Sequence, residues 1–365
     1  MNAIVSQRPD ERKWRHEENV CSQAAMKAIV IPRYGKADVL CVRELPEPEP
    51  KAGEVRIAVH AAGLNFSEVS ARQGLYPDAP KPPSVVGYEV AGTIDALGSG
   101  VSGFARGERV WAICRFGGHA ERVCTPALLV RRMPASLDFV RAAALPVAYA
   151  TAWLLTSGFG YVRENERILV HMAAGGVGLA AIDLCRRVRG VTIFGTASAA
   201  KHDFLRSRGV DHPIDYRTMD FEKEVRRLTD GRGVQLVLDP MGGRNWRKNY
   251  RLLAPLGRLM VFGFANATRA GTRSFARVIG QLVQSPRWSP MTLMGDNRAV
   301  MGLNLGHLFD DTDLVTVGLD ALDGLISSGA IDPVIDRVFP FSQAADAHRR
   351  IENRENVGKI VLVPG

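Results

Sequence analysis

The stretch Val170-His171-Met172-Ala173-Ala174-Gly175-Gly176-Val177-Gly178-Leu179-Ala180-Ala181 decides the fold of this chain. An apolar run, Ile168 to Met172, enters it as a buried strand, and a helix from about Gly178 to Val188 leaves it. In a strand–turn–helix of this kind, glycines let the backbone approach a pyrophosphate. The free N–H groups at the helix start and the positive end of its dipole then hold the anion. The G-x-G-x-x-G pattern is imperfect, because Ala173 stands where its first glycine belongs. The competing reading is an ordinary tight turn; the setting between strand and helix favours a dinucleotide site.

Downstream the same texture continues. Val191 to Phe194 reads as a strand, Ala200 to Arg208 as a helix, and Gln235 to Leu238 and Leu259 to Phe264 as further strands. Strands alternating with helices predict βαβ units and a parallel sheet. Upstream, residues 27–130 are short strand-like runs separated by Gly and Pro: Val55 to Ala61, Tyr88 to Ile94, Arg109 to Cys114 and Ala120 to Cys124. The texture changes near residue 138, where the Ala-rich stretch Arg141 to Leu155 has helical spacing. Beyond about residue 305 a helix (Leu314 to Ser328), a strand-like run (Val334 to Phe341), a further helix and the apolar Lys359 to Val363 follow.

The end of the second strand bears on the choice of nicotinamide cofactor. NAD sites place a carboxylate there for the ribose 2′-hydroxyl. Here the sequence is Phe194-Gly195-Thr196-Ala197-Ser198-Ala199-Ala200-Lys201, with no acid. A hydroxyl and an ammonium suit a 2′-phosphate, so Ser198 and Lys201 point to NADPH. The plainer alternative is a helix-capping serine followed by a solvated lysine.

Composition excludes several classes. The 365 residues are 46% hydrophobic and 23% charged, enough apolar material for two domains with real cores. No apolar run reaches the ~18–20 residues of a membrane span. Residues 1–25 form a charged arm without a signal-peptide core, and five scattered cysteines fit a reducing compartment, so a cytoplasmic protein is expected. The net charge of +9 is spread over separate basic pairs such as Arg131-Arg132, Arg186-Arg187 and Arg226-Arg227. Nucleic-acid binding, which concentrates basic residues on one element, is not expected.

Taken together, the chain resembles the medium-chain dehydrogenase/reductase superfamily, in its quinone oxidoreductase type, and within that type the vesicle amine transport protein homologues. The stretches that carry the resemblance are Gly63-Leu64-Asn65-Phe66, Ala71 to Tyr76, Gly87-Tyr88-Glu89-Val90-Ala91-Gly92, Val170 to Ala181, Phe194 to Lys201, Pro213 to Tyr216, Asp239 to Gly243 and Asn356-Val357-Gly358-Lys359. They run in family order over roughly residues 26–365. The resemblance implies an α/β protein with a GroES-like β-rich domain and a Rossmann domain of doubly wound parallel sheet. The boundaries expected are the arm at 1–25, the GroES-like domain at 26–147 with 306–365 returning to it, and the NADPH-binding Rossmann domain at 148–305. A homodimer is implied by resemblance alone.

Zinc-dependent relatives place a Cys and a His where this chain has Asn65 and Tyr88. The cysteine-rich lobe is also missing: Cys114 and Cys124, with His119 between, do not make a closed four-ligand set. No metal is expected. The chemistry implied is zinc-independent hydride transfer from NADPH to a quinone or an α,β-unsaturated carbonyl, acceptors whose electron-poor carbon needs only positioning and hydrogen-bond polarisation.

By resemblance, Asn65 touches the nicotinamide ribose region, and Tyr76 faces the substrate carbonyl or the nicotinamide, with a cleft-lining aromatic as its plainer role. Thr151, Phe262, Gly263, Leu303 and Asn304 bracket the ring. Ala174, Gly175, Gly176 and Val177 hold the pyrophosphate, Gly195, Ser198, Lys201 and Tyr216 the adenosine end, and Asn356 and Lys359 close over the cofactor. The apolar segment Phe275 to Gly295 reads as a dimer or domain contact, or else as a cavity wall or membrane patch; it lacks the basic face of an interfacial helix, so membrane contact is not expected. Three functions stay open: an NADPH-dependent quinone reductase, an enoyl reductase acting on a thioester or polyketide, and a non-catalytic, membrane-associated NADPH-binding protein.

Overall fold

The structure is a computed structural model that describes residues 24–268, 275–308 and 312–365. The arm, apart from its last two residues, lies outside the described residues.

Six parallel strands form one sheet, in the order His212–Asp215, Thr192–Ala197, Arg167–Val170, Val234–Asp239, Leu253–Val261 and Ala299–Gly302. This is the 3-2-1-4-5-6 order of a doubly wound nucleotide-binding sheet. Its switch point lies between the strands Arg167–Val170 and Val234–Asp239, where ligands bind outside the carboxyl ends. Ile168, Leu169, Leu236, Val237 and Leu238 are all buried, the continuous apolar run that a sheet covered on both faces requires.

The second large sheet is mainly antiparallel. Its central strand, Glu54–Leu64, pairs with Glu89–Leu97 and Arg122–Pro126 from the first half of the chain and with Lys359–Val363 from far downstream. A three-stranded sheet, Cys41–Pro46, Ala25–Ile31 and Ser84–Val85, flanks it. The α/β class, with a GroES-like β-rich part beside a Rossmann-type sheet, is as the sequence predicts.

Between the two sheets the single Ala-rich helix expected over Arg141 to Leu155 is two helices, Phe139–Ala143 and Pro146–Trp153. Pro146 has no N–H to give and sits at the first turn, where none is needed, so it restarts the helix. Small side chains here let the layers close. Ala142, Ala148 and Ala152 share one continuous buried cluster with Trp111 and Ile113 of the antiparallel sheet and Ile168 and Val170 of the parallel sheet. The helix Phe221–Leu228 has no counterpart in the sequence reading. Its residues are mostly charged and only Phe221 and Val225, one turn apart, are buried, too short a stripe to show periodicity.

Candidate active site at the switch point

The fingerprint turn is built around Met172, which takes the left-handed conformation at φ 52°. Ala173 does not; its N–H donates to Thr196 O at 3.1 Å. That explains why alanine is tolerated at the position of the first glycine. Gly178 meets the requirement of the last one: a Cβ there would lie 2.6 Å from Met172 O and 2.7 Å from Ala173 O. The helix Gly176–Cys185 starts at Gly175. Across from the turn, Gly358 N–H donates to Ala174 O at 2.8 Å, stitching the downstream segment to the loop.

A cavity of about 820 Å³ opens over this turn. Asn65, Tyr76, Thr151, Ala174, Gly175, Gly176, Val177, Ser198, Lys201, Tyr216, Phe262, Gly263, Leu303, Asn304, Asn356 and Lys359 all line it. Gly195 is not on its wall. It lies within the strand Thr192–Ala197, paired with Val170 and Pro213, and an added Cβ would stand 3.0 Å from Ala173 Cβ and Val210 Cγ1. Its small size serves packing beneath the turn.

At one end of the cavity a buried charge cluster surrounds Asn65. Lys359 Nζ donates to Asn65 Oδ1 at 2.8 Å, to Leu64 O at 3.1 Å and to Glu89 Oε1. Asn65 Nδ2 donates to Glu89 Oε1 at 2.9 Å. The other Glu89 oxygen accepts Val147 N–H at 2.8 Å in the first turn of Pro146–Trp153, where the helix dipole favours a carboxylate. Glu68 accepts the backbone N–H of Asn65. Burial pushes the Glu68 carboxyl up to about 8, although the Lys359 charge and the Asn65 N–H pull it down, so it holds a proton at neutral pH. The fully buried His119 is pushed down to about 4 by the same desolvation.

Tyr76 reaches across the mouth of the cavity. Its hydroxyl donates to Asn304 Oδ1 at 3.4 Å, and its ring meets Tyr88 edge-on, with centroids 6.3 Å apart. Burial, with the charges of Asp78 and Glu68 adding to it, holds the Tyr76 phenol above its usual range, which makes it a proton donor rather than a base.

At the end of the cavity expected from the sequence to take the adenosine, Lys201 Nζ donates to Arg354 O at 2.8 Å and Asn356 O at 2.7 Å. Burial lowers its affinity for the proton. Lys201 is therefore also a clamp on the downstream segment. Arg354 is a wall residue that the sequence reading passed over. It sits at φ 58° on the turn after the helix Ala344–Glu352, and its guanidinium makes no hydrogen bond or ion pair among the described residues. No local pattern could have flagged it, because 153 residues separate it from Lys201.

The apolar segment divides between two helices, Phe275–Gln284 and Pro290–Asp296. Val278 and Leu282 line the cavity, Trp288 and Leu293 pack beneath the parallel sheet, and Ile279, Val283, Met291 and Met294 are exposed.

The donors here do not suit zinc. At the two key positions stand a carboxamide already held by an ammonium and a carboxylate, and a phenol, Tyr88, that burial pushes far above its usual range. Cys114 is raised by burial as well, and its thiol contacts Gly87 O. Among the described residues no three His, Cys, Asp or Glu side chains gather to hold a metal ion, nor is any helix long and apolar enough to cross a membrane. A dinucleotide, by contrast, fits the cavity, with the glycine turn at its centre and the side chains of Lys201 and Arg354 at one end.

Comparison with known proteins agrees with this geometry. Residues 51–135 match the alcohol dehydrogenase GroES-like domain family, and residues 208–362 the zinc-binding dehydrogenase family. The chain is 40% identical over 342 residues to the rat (Rattus norvegicus) synaptic vesicle membrane protein VAT-1 homolog, covering 93% of this chain and 84% of that one. Among solved structures, Escherichia coli quinone oxidoreductase complexed with NADPH superposes with a TM-score of 0.80 at 27% identity, over 93% of this chain and all of that one. CurK enoyl reductase does so with a TM-score of 0.80 at 28% identity, over 94% of this chain and all of that one.

Proposed function

The chain belongs to the medium-chain dehydrogenase/reductase superfamily, close to the VAT-1 homologues and the quinone oxidoreductases, and on that premise we propose that it is a zinc-independent, NADPH-dependent reductase of quinones or α,β-unsaturated carbonyls. The observation that carries this reading is the polarity of the cavity. One end holds Ser198, Lys201 and the free guanidinium of Arg354, the other Asn65 and Tyr76, with the glycine turn between them. Basic groups at the adenosine end suit a 2′-phosphate.

When bound, the reduced nicotinamide supplies the hydride. The chain supplies position and a proton. Asn65, held on both sides of its amide, is a rigid wall for the nicotinamide ribose, and Thr151, Phe262 and Leu303 enclose the ring. Tyr76 offers its hydroxyl proton to the carbonyl oxygen, stabilising the charge that hydride delivery places there. One hydride and one proton convert a quinone to its hydroquinone, or an enone to its saturated ketone. The expected assembly is a homodimer in the cytoplasm.

A second reading, an enoyl reductase for a thioester or polyketide, draws on the apolar wall formed by Met241, Phe264, Val278 and Leu282, which suits an acyl chain. NADPH consumption against a panel of quinones, 2-enones and enoyl thioesters, with NADH in parallel, separates the readings by product. Turnover that falls well below the wild-type rate, without vanishing, in Tyr76→Phe supports the proposal. Tight NADPH binding without turnover of any acceptor overturns it in favour of a non-catalytic role.

A further inference from the structure

Asp78, whose charge acts on the Tyr76 phenol, also bridges the mouth of the cavity. Its Oδ2 accepts from Asn304 Nδ2 at 3.1 Å and from His307 Nε2 at 2.9 Å. Asn304 Oδ1 in turn receives Gly306 N–H at 3.1 Å and the Tyr76 hydroxyl at 3.4 Å. A carboxylate only accepts and a backbone N–H only donates. The Asn304 amide is therefore fixed from both sides: its NH₂ must face Asp78, and its oxygen must face Gly306 and Tyr76. Asp78 remains ionised, because the hydrogen bonds from His307 and Asn304 and the charge of Arg115 hold it below the usual carboxylate range despite some burial.

We propose that Asp78, seated by His307, is the positioning residue of Tyr76, acting through the orientation of the Asn304 amide. In this arrangement the Tyr76 proton points at Asn304 until a carbonyl oxygen arrives to compete for it. The hydroxyl is thus parked at a known place beside the nicotinamide end of the cavity rather than free to rotate. If Asp78 is neutralised, only the Gly306 N–H still fixes the amide. The amide is then free to turn over, so that its NH₂ meets the Tyr76 oxygen and the phenol is no longer aimed by an acceptor. The inference rests on the reading that Tyr76 serves the acceptor.

The test is a double-mutant comparison. Asp78→Asn keeps the size of the side chain but can donate as well as accept. It is expected to lower kcat about 5- to 20-fold with the KM for NADPH unchanged. The same substitution made in Tyr76→Phe, or in Asn304→Leu, is expected to add nothing, since the aimed group or the relay is already gone. Equal losses in all backgrounds, which a purely structural role predicts, would overturn the proposal, and so would no loss in any.

Hydrogen exchange of the ligand-free protein forms a second arm that needs no turnover. Asp78→Asn should release the Gly306 amide and speed exchange over residues 303–308. If the wild-type chain reduces no acceptor, the reductase reading fails, while this arm still decides the Asp78 lock; unchanged exchange there sinks it.

Discussion

Lys359 Nζ and Asn65 Oδ1 lie 2.8 Å apart, though 294 residues separate them in the chain. The ammonium, only 5% exposed, is the counter-charge for Glu89 and faces the protonated Glu68. Removing one partner of a buried pair leaves the other uncompensated, which costs about 3–5 kcal/mol. Lys359→Met is expected to lower stability by about that amount in denaturant unfolding. Combining it with Glu89→Gln should recover part of the loss, because the stranded charge is then gone.

Lys201 and Arg354 should separate by cofactor. Arg354→Ala removes only a free guanidinium, so NADPH binding is expected to weaken by ~1–3 kcal/mol while NADH binding stays unchanged. Lys201→Ala also releases the carbonyls of residues 354 and 356, so it should weaken both cofactors, NADPH the more. Titration of nicotinamide fluorescence measures each.

Glu68 links stability to pH. Its folded carboxyl titrates at about 8 and an ordinary one at 4.5, so between those values the folded state binds the extra proton. The stabilisation is therefore full below about 4.5, is lost as pH rises towards 8, and changes little beyond. His119, held near 4, contributes a slope of opposite sign below its ordinary value of 6.5. Thermal melts above that point are the cleaner window. There the wild type is expected to lose stability with rising pH, and Glu68→Gln to show a flatter profile.

Gly178→Ala should fail where Ala173→Gly succeeds. The first drives a Cβ against two backbone oxygens, an overpacking expected to cost about 1–3 kcal/mol and to widen the turn proposed to receive the pyrophosphate. The second relieves no contact, removes one buried methyl and adds chain flexibility, together expected to cost about 1–2 kcal/mol, but leaves the turn its width. Melting temperature and cofactor affinity together distinguish them.

The parallel sheet and its turn were legible because Ile168 to Gly178 carries a buried run, a glycine cluster and a helix start within a dozen residues. The family resemblance brought in partners that lie far off, such as Asn356 and Lys359. What stayed hidden depends on three-dimensional juxtaposition. Arg354 owes its place on the wall to a left-handed turn and to the Lys201 clamp, and Asp78 meets His307 across the cavity mouth. Lys201 shows the limit from the other side. Its residue type suited a phosphate, yet two backbone carbonyls already occupy it, and no spacing rule reveals a carbonyl.

The strand Lys359–Val363, placed between Ile335–Pro340 and Glu54–Leu64, also bears on biosynthesis. Lys359 reaches a backbone carbonyl 295 residues upstream, so most of the chain leaves the ribosome before the central strand of the antiparallel sheet gains this neighbour. Contacts of such separation slow folding. Until Gly358 arrives at Ala174 and Lys359 arrives at Glu89, the nascent chain carries the Glu89 carboxylate without its ammonium partner and the cavity with one wall open. Closure of this wall is therefore a late event of synthesis, set by the last few residues of the chain.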